Sequence, residues 1–479
     1  MDEKKPHVVF IPVPALSHIK CMLKLARLLH HKGLQITFVN TQSSHNRLMI
    51  KSAHDLDETP GFQFKAIPDG LSSTLEDEDK PGEILYQVSG YLDANFLASF
   101  LALVAGLETP VNCIISDGLR IYAKTPLAAE MLGVPIMLYW TMAASGFMAY
   151  YQAKVLMEKG IVPLEDESFR RNGYIDTEID WIPGMEGIRL RDLPDLMLAT
   201  KPDDYVLNLL VEASKAADKV SHIIIHSFNE LEATLIKELK SIFLQIYTVG
   251  PQQLLLNRIT EKENVKSKFN GYSLWKEEPE CVQWLQSKEP DSVVYVNFGS
   301  LTVISFQDLL ELGWGLVNSN QYFLWIIRTN LVDGKPVVLP EELKEVIKAR
   351  GFIASWCSQE EVLNHPSVGG FLTHGGWGSA IESLSAGVPM VCWPGSHDQR
   401  VNCRQMCKKW EVGMELEGNV KRVEVEKLVR ELMEGIEGKR MRKKCLEWKK
   451  MAEIATGPEG SSSINVEKLA NEITMLSKT

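Results

Sequence analysis

The chain has 479 residues, of which 45% are apolar and 24% charged, with a formal net charge of −11 and eight cysteines. A single core rarely grows past about 250–300 residues, so this length predicts two domains, and the apolar-to-charged balance excludes a disordered chain. The acidic balance without a basic run excludes nucleic acid as a partner. The cysteines are scattered, with only Cys403 and Cys407 one helical turn apart, which predicts free thiols in a reducing compartment and no metal site.

The N-terminus reads MDEKKPH and then VVFIPV, an apolar run too short for a signal-peptide core. No window reads as the ~18–20 apolar residues of a membrane span, so a cytoplasmic protein is expected. HVVFIPV (7–13) reads as a buried strand. From Ser17 to Gly33, Ile19, Met22, Leu23, Ala26 and Leu29 fall at helical spacing and end at a glycine. QITFVN (35–40), FQFKAI (62–67), CIISD (113–117), PIMLYW (135–140), HIIIHSF (222–228) and IYTVGP (246–251) follow as strands, most of them separated by helical stretches. Residues 252–275 are polar and without clear periodicity, and read as a linker. The alternation then restarts with VVYVNFGS (293–300), YFLWIIR (322–328), FIASW (352–356), GGFLTH (369–374) and PMVCWP (389–394). After Gly460, SSSINVEKLANEITMLSK reads as a terminal helix with a serine cap.

Strands alternating with helices predict parallel sheets covered on both faces. The expected class is α/β: two doubly wound Rossmann-like domains facing each other across a cleft. The expected boundaries are 1–251, a linker at 252–275, 276–460, and a final helix at 461–479 that packs back on the first domain.

Ligands of open parallel sheets sit beyond the carboxyl ends of the strands. His374 ends GGFLTH, and Gly375 and Gly376 lead into a helix from Trp377. A helix N-terminus presents free N–H groups and partial positive charge, which suits a phosphate; His374 and Ser379 add donors. Glu382, one turn on, would repel a diphosphate but can accept from a ribose diol. Asp398 and Gln399 follow the next strand, and an acid beside an amide suits the hydroxyls of a sugar. Trp356 can stack on a base, Gln359 can hydrogen-bond a base or ribose, and Ser300 closes a second phosphate-type turn. Phosphate, ribose and sugar contacts in one unit point to a nucleotide sugar. In the first half, His18 follows the first strand and Asp117 ends CIISD. A carboxylate there can hold a histidine and stabilise the imidazolium. Asp77-Glu78-Asp79 has the spacing of a metal-binding acidic pair, but it lies in LEDEDKPG, read as a solvated loop. No G-x-G-x-x-G follows the first strand, which ranks a dinucleotide oxidoreductase last.

The run WCSQEEVLNHPSVGGFLTHGGWGSAIESLSAGVPMVCWPGSHDQ, residues 356–399, closely resembles the signature box of plant UDP-dependent glycosyltransferases. The resemblance extends through PHVVFIPVPALSHIK, IISDGL, IDWIPGMEGIRLRDLP, VVYVNFGS and GSSSINVEKL. It is nearest to family 85, and within it to the glucosyltransferases of the steviol 13-hydroxyl. The resemblance implies a GT-B fold with UDP-glucose on the C-terminal domain and no metal cofactor. It implies that Trp356 stacks on uracil, that the Cys357 backbone and Gln359 contact base and ribose, and that Glu382 holds the ribose diol. Ser300, His374, Gly376, Gly378 and Ser379 then surround the diphosphate, while Trp377, Asp398 and Gln399 face the sugar. His18 becomes the general base, Asp117 its partner, and Thr141 a contact to the donor sugar. Gly378 stands where the family carries asparagine, Gly375 where a cysteine is common, and Gly395 and His397 where other residues are usual. The function implied is inverting transfer of glucose to a small apolar alcohol acceptor, a steviol-like diterpenoid first, by a monomer. A cyanohydrin or flavonoid acceptor, or nucleotide-sugar binding without turnover, is the alternative.

Overall fold

In a computed structural model of the chain, residues 5–51, 59–71, 81–119, 124–263, 277–332 and 337–477 are described. They divide into two compact units, one drawn from residues 1–73, 85–274 and 453–479, the other from 74–84 and 275–452.

The first unit contains β1 (His7–Ile11), β2 (Gln35–Thr41), β3 (Phe62–Ile67), β4 (Cys113–Asp117) and β5 (Ile136–Trp140). A small antiparallel pair, β6 (Glu178–Ile179) and β7 (Ile188–Arg189), precedes β8 (His222–Ile225) and β9 (Gln245–Thr248). The main sheet is parallel throughout, in the order β3-β2-β1-β4-β5-β8-β9. Every residue of β1 and β4 is buried, which explains their continuous apolar runs: helices cover both faces of such a sheet. The chain leaves β1 toward β2 on one side and only later fills β4 on the other. The strand order therefore reverses between β1 and β4, where open sheets place their ligands.

The second unit repeats the plan with β10 (Val293–Asn297), β11 (Tyr322–Ile326), β12 (Gly351–Ala354), β13 (Val368–Thr373), β14 (Met390–Cys392) and β15 (Gly413–Glu415). Its parallel order is β12-β11-β10-β13-β14-β15, so its reversal lies between β10 and β13. Gly369 and Gly370 let β13 run close under its neighbours: a Cβ at Gly370 would stand 2.4 Å from Leu432, on the helix Arg422–Glu434. Val294, Val296, Trp325, Leu372 and Val391 join helix residues such as Leu312, Leu316 and Val429 in one core.

Four expectations change. Residues 252–263 are a helix, Gln252–Glu263, not a linker. Leu255, Leu256 and Thr260 are buried, and Gln252 donates from its amide to the Tyr139 hydroxyl at 2.7 Å, so polar residues here serve the interior. The helix Pro81–Ala105 contains one stretch, Gln87–Ala105, long and apolar enough to cross a membrane, with a mean hydropathy of 1.4. Its buried residues include Val88, Leu92, Phe96 and Phe100, a stripe at i, i+4 spacing that packs one face inward. The chain rejoins the first unit at 453 rather than 461. The final helix Ser461–Leu476 has Gly460 at its N-cap without a side-chain cap. Its serines work across the unit instead: Ser461 donates to Glu230 at 2.8 Å and Ser462 to the Gly250 carbonyl. The strand β15 and the β6–β7 pair are short and carried no sequence signal. Asp77 and Asp79 lie outside the described residues; among those described, no cluster of three or more His, Cys, Asp or Glu is arranged to hold a metal.

Candidate functional site

The reversal of the first sheet brings together two groups far apart in sequence. Ile11 pairs with Ser116, so the residues after β1 meet the end of β4. The helix Leu16–His31 starts there and presents His18 in its first turn. His18 Nδ1 lies 2.7 Å from Asp117 Oδ2, with the histidine side chain 17% exposed and the carboxylate 1%. Asp117 is fixed from other directions as well: Oδ2 accepts from the Val13 N–H at 3.3 Å and Oδ1 from the Leu119 N–H at 3.0 Å. A buried carboxylate on Nδ1 favours the tautomer with Nδ1–H, in which Nε2 carries the lone pair that can accept a proton. The Thr141 hydroxyl, just past β5, lies 2.9 Å from the same Nδ1. Thr141 therefore stands beside His18. The segment after it is anchored by Glu232, which is buried and accepts from the N–H groups of Ala144 and Ser145 at 2.8 Å each.

In the second unit, β10 and β13 end side by side, with Asn297 opposite Thr373. The helix Trp377–Ala386 begins at Gly376 with no side-chain cap, and its first intrahelical bond runs from the Ala380 N–H to the Gly376 carbonyl. The N–H groups of Trp377, Gly378 and Ser379 precede that bond, and such a helix end suits an anion. The glycines have distinct reasons. Gly375 has φ +77°, and a Cβ there would stand 2.5 Å from Cys392 Sγ, so both backbone and packing require it. A Cβ at Gly376 would stand 2.5 Å from His374 Nε2, and one at Gly299 2.7 Å from the same nitrogen. His374 thus lies between two bare backbones, and Gly375 and Gly376 make room for protein neighbours. A Cβ at Gly378 would meet nothing within 4 Å, and the space of the family's asparagine is open. Burial, and then the Arg328 charge, push the His374 imidazole down to about 4, and a bond with the Asn297 backbone opposes them. It is neutral at pH 7. Ser300 follows in the turn after β10, half-buried.

Gln359 is the hub of a polar cluster past the end of β12. Its amide donates to Glu382 Oε2 at 2.7 Å and to Ser379 Oγ at 3.0 Å. Its carbonyl accepts from Asn297 Nδ2 at 2.9 Å. Gln359 thus aligns Glu382 and draws the Ser379 hydroxyl toward itself. Trp356 is 7% exposed and its carbonyl accepts from the Glu278 N–H at 3.0 Å. Cys357 is buried beside Tyr295, 3.4 Å from its hydroxyl, and its bond with Cys281, together with burial, holds its thiol well above the usual range.

Past β14, Asp398 accepts from Asn402 at 3.0 Å. Gln399 Oε1 accepts from the N–H groups of Gly395 and Ser396 at 2.8 and 3.1 Å. Its carbonyl locks the turn, so its NH2 is the part available to a ligand. His397, inside this turn, has φ +62°, an uncommon backbone for a residue with a side chain. The Trp377 indole does not lie open to a sugar: it is 3% exposed and packs against Trp410, with ring centres 5.8 Å apart. Packing claims the side chain, leaving its N–H at the helix end.

Two residues of this site were missed in sequence. Asn297 ties the turn after β10 to the Gln359 cluster, accepting from the Gly299 N–H at 3.0 Å while donating to Gln359 and Tyr295. Arg328 is 2% exposed and donates from Nε to the Gly299 carbonyl at 2.9 Å. The asparagine of VVYVNFGS, a polar residue ending a buried strand, was the available signal for the first. A buried arginine at the end of YFLWIIR was that for the second.

The family model described as "UDP-glucoronosyl and UDP-glucosyl transferase" matches residues 181–449. The chain is 65% identical over 479 residues to UDP-glycosyltransferase 85C1 of Stevia rebaudiana, covering 100% of this chain and 99% of the relative. It is 48% identical over 475 residues to 7-deoxyloganetin glucosyltransferase of Catharanthus roseus, covering 97% and 96%. It is 46% identical over 481 residues to (R)-mandelonitrile beta-glucosyltransferase of Prunus dulcis, covering 98% of this chain and 97% of the relative. Among solved structures, UDP-glucose: anthocyanidin 3-O-glucosyltransferase in complex with UDP matches with a TM-score of 0.82 at 25% identity, over 99% of this chain and 100% of that one.

Proposed function

The chain belongs to the plant UDP-glycosyltransferases of family 85, with the GT-B fold, and from that premise we propose an inverting glucosyltransferase that uses UDP-glucose and a small apolar alcohol. The observation that carries the reading is the His18–Asp117 contact of 2.7 Å at the strand reversal of the first unit. His18 Nε2 takes the proton of the acceptor hydroxyl as its oxygen attacks the anomeric carbon. The attack comes from the face opposite UDP, the C1–O bond to the diphosphate breaks, and an α-linked donor gives a β-glucoside. Asp117 stabilises the imidazolium while the proton is held. The departing diphosphate meets the N–H groups of Trp377, Gly378 and Ser379 and the neutral imidazole of His374. Ser300 and Gly376 line the same turns. Trp356, the Cys357 backbone, Gln359 and Glu382 take base and ribose, and Asp398 and Gln399 take the sugar. No metal takes part, because the helix end supplies the positive potential.

The acceptor we propose is a steviol-like diterpenoid alcohol. The 65% identity to a Stevia relative supports that class, and the 7-deoxyloganetin and mandelonitrile enzymes make a smaller terpenoid or a cyanohydrin the alternatives. The free thiols of all eight cysteines suit a reducing compartment, which we take to be the cytoplasm. The test is incubation with UDP-glucose and steviol, 7-deoxyloganetin, mandelonitrile and a flavonol, reading UDP release and glucoside formation. Steviol should give the highest kcat/KM. Turnover confined to another acceptor would replace it, and binding of UDP-glucose without any glucoside would leave a binding protein.

A further inference from the structure

Arg328 lies just past β11, its charge buried, and has no role in the chemistry given above. All the acceptors of its guanidinium among the described residues are neutral oxygens. Nε donates to the Gly299 carbonyl at 2.9 Å and Nη1 to the Asn330 carbonyl at 3.1 Å. Nη1 also reaches the Asn330 side-chain oxygen, and Nη2 the Thr302 carbonyl. A buried cation held only by dipoles is costly, and burial pushes its pKa down to about 10. Such a cost persists where something else uses the charge or the geometry. Two of the carbonyls, Gly299 and Thr302, bracket Ser300 in the turn after β10. The fork thus pulls this turn together from behind, with Nε and both terminal nitrogens already donating to the protein.

We propose that Arg328 is a positioning residue for the donor diphosphate: its guanidinium fixes the Gly299–Thr302 turn and holds an uncompensated positive charge behind the phosphate site. This rests on the assignment of that site to UDP-glucose. The turn's other side supports it. His374, held beside Gly299, is depressed partly by the Arg328 charge, so the field of Arg328 reaches the group that faces the phosphates. A dianionic leaving group entering there meets a site already biased toward negative charge, without displacing any bond of the fork. Lysine could keep the charge but not the planar grip on several carbonyls.

The experiment uses the full chain and its Arg328→Met and Arg328→Lys variants, with affinities for UDP and for uridine measured by calorimetry. Wild type should bind UDP at least tenfold more tightly than uridine; if it does not, the donor assignment itself fails, whatever the variants do. In Arg328→Met the UDP affinity should fall tenfold or more and the KM for UDP-glucose should rise in step. Uridine affinity should stay within about twofold. Arg328→Lys should fall between the two. Titration of His374 by NMR should move up in Arg328→Met. Equal losses of UDP and uridine affinity would make Arg328 a general fold residue and overturn the proposal. So would an unchanged UDP affinity, or failure of both variants to fold.

Discussion

Asp117→Asn removes a charge while keeping size, and its effect can be worked from the geometry. His18 Nδ1 and Asp117 Oδ2 are 2.7 Å apart with the carboxylate 1% exposed. When the imidazolium forms, two unit charges with centres about 4 Å apart attract by roughly 4 kcal/mol at an effective dielectric of about 20. Asparagine keeps a dipole and so retains part of this. At about 1.4 kcal/mol per decade, kcat should fall by about two to three decades, within the range for loss of general-base function. The variant also offers an NH2 where an acceptor stood, which favours the wrong tautomer of His18. The KM for UDP-glucose should change little, since the groups proposed to hold UDP belong to the other unit. Initial rates of UDP release at saturating donor give kcat, first with an aliphatic alcohol and then with a nitrophenol. The acidic nitrophenol needs less help in losing its proton and should show a smaller loss. A fall of less than tenfold with the aliphatic alcohol, or the same loss for both acceptors, would refute the base assignment. Thermal melting is the control, because Asp117 also holds the Val13 and Leu119 N–H groups.

Gln399→His should narrow or reverse the preference for UDP-glucose over UDP-galactose, measured by competition between the two donors. Gln399→Ala should weaken both and also loosen the Gly395–Ser396 turn, because Gln399 Oε1 accepts both N–H groups. EDTA should leave the rate unchanged; a large loss restored by magnesium or manganese would bring back the Asp77–Asp79 reading. Acid should destabilise the fold through buried neutral histidines: burial holds His374 at about 4 and His226 at about 3, against 6.5 in the unfolded chain. Between pH 6.5 and those values the unfolded chain binds more protons, so this stability is present above pH 6.5 and is lost as the pH falls. The urea midpoint should drop from pH 7 to pH 5, and less steeply in His226→Phe; equal slopes would contradict this.

Both sheets were legible in the sequence because their strands are short, β-branched and buried on both faces, and because glycines and helical spacing punctuate them. The ends of those strands carry His18, Asp117, His374 and Ser300, so these candidates could be named without coordinates. What failed has physical causes. Gln252–Glu263 looked like a linker because its polar residues, Gln252 and Thr260, work inside the fold. The apolar content of Gln87–Ala105 was underrated because Ser, Gly and Asn are interspersed among its hydrophobic residues. Gly375 and Gly376 read as the lead into a helix, whereas Cys392 and His374 occupy the space a side chain there would need. Trp377 gave no sign that Trp410, thirty-odd residues on, would claim its indole, since tertiary packing is not written in local spacing. Arg328 and Gln399 bond to backbone carbonyls and N–H groups, which every residue has, so no side-chain pattern announces those partners.

The central claim is single-displacement transfer of glucose from UDP-glucose with His18 as the base. The most direct measurement is the one-bond and three-bond proton couplings at the anomeric centre of the product, by NMR, from wild type and His18→Ala with UDP-α-glucose and steviol. The account predicts a β-glucoside, one UDP released per glucoside, and a rate lower by about 10²–10⁴ in His18→Ala with UDP affinity preserved. An α-glucoside, or a His18→Ala variant as fast as wild type, would contradict it.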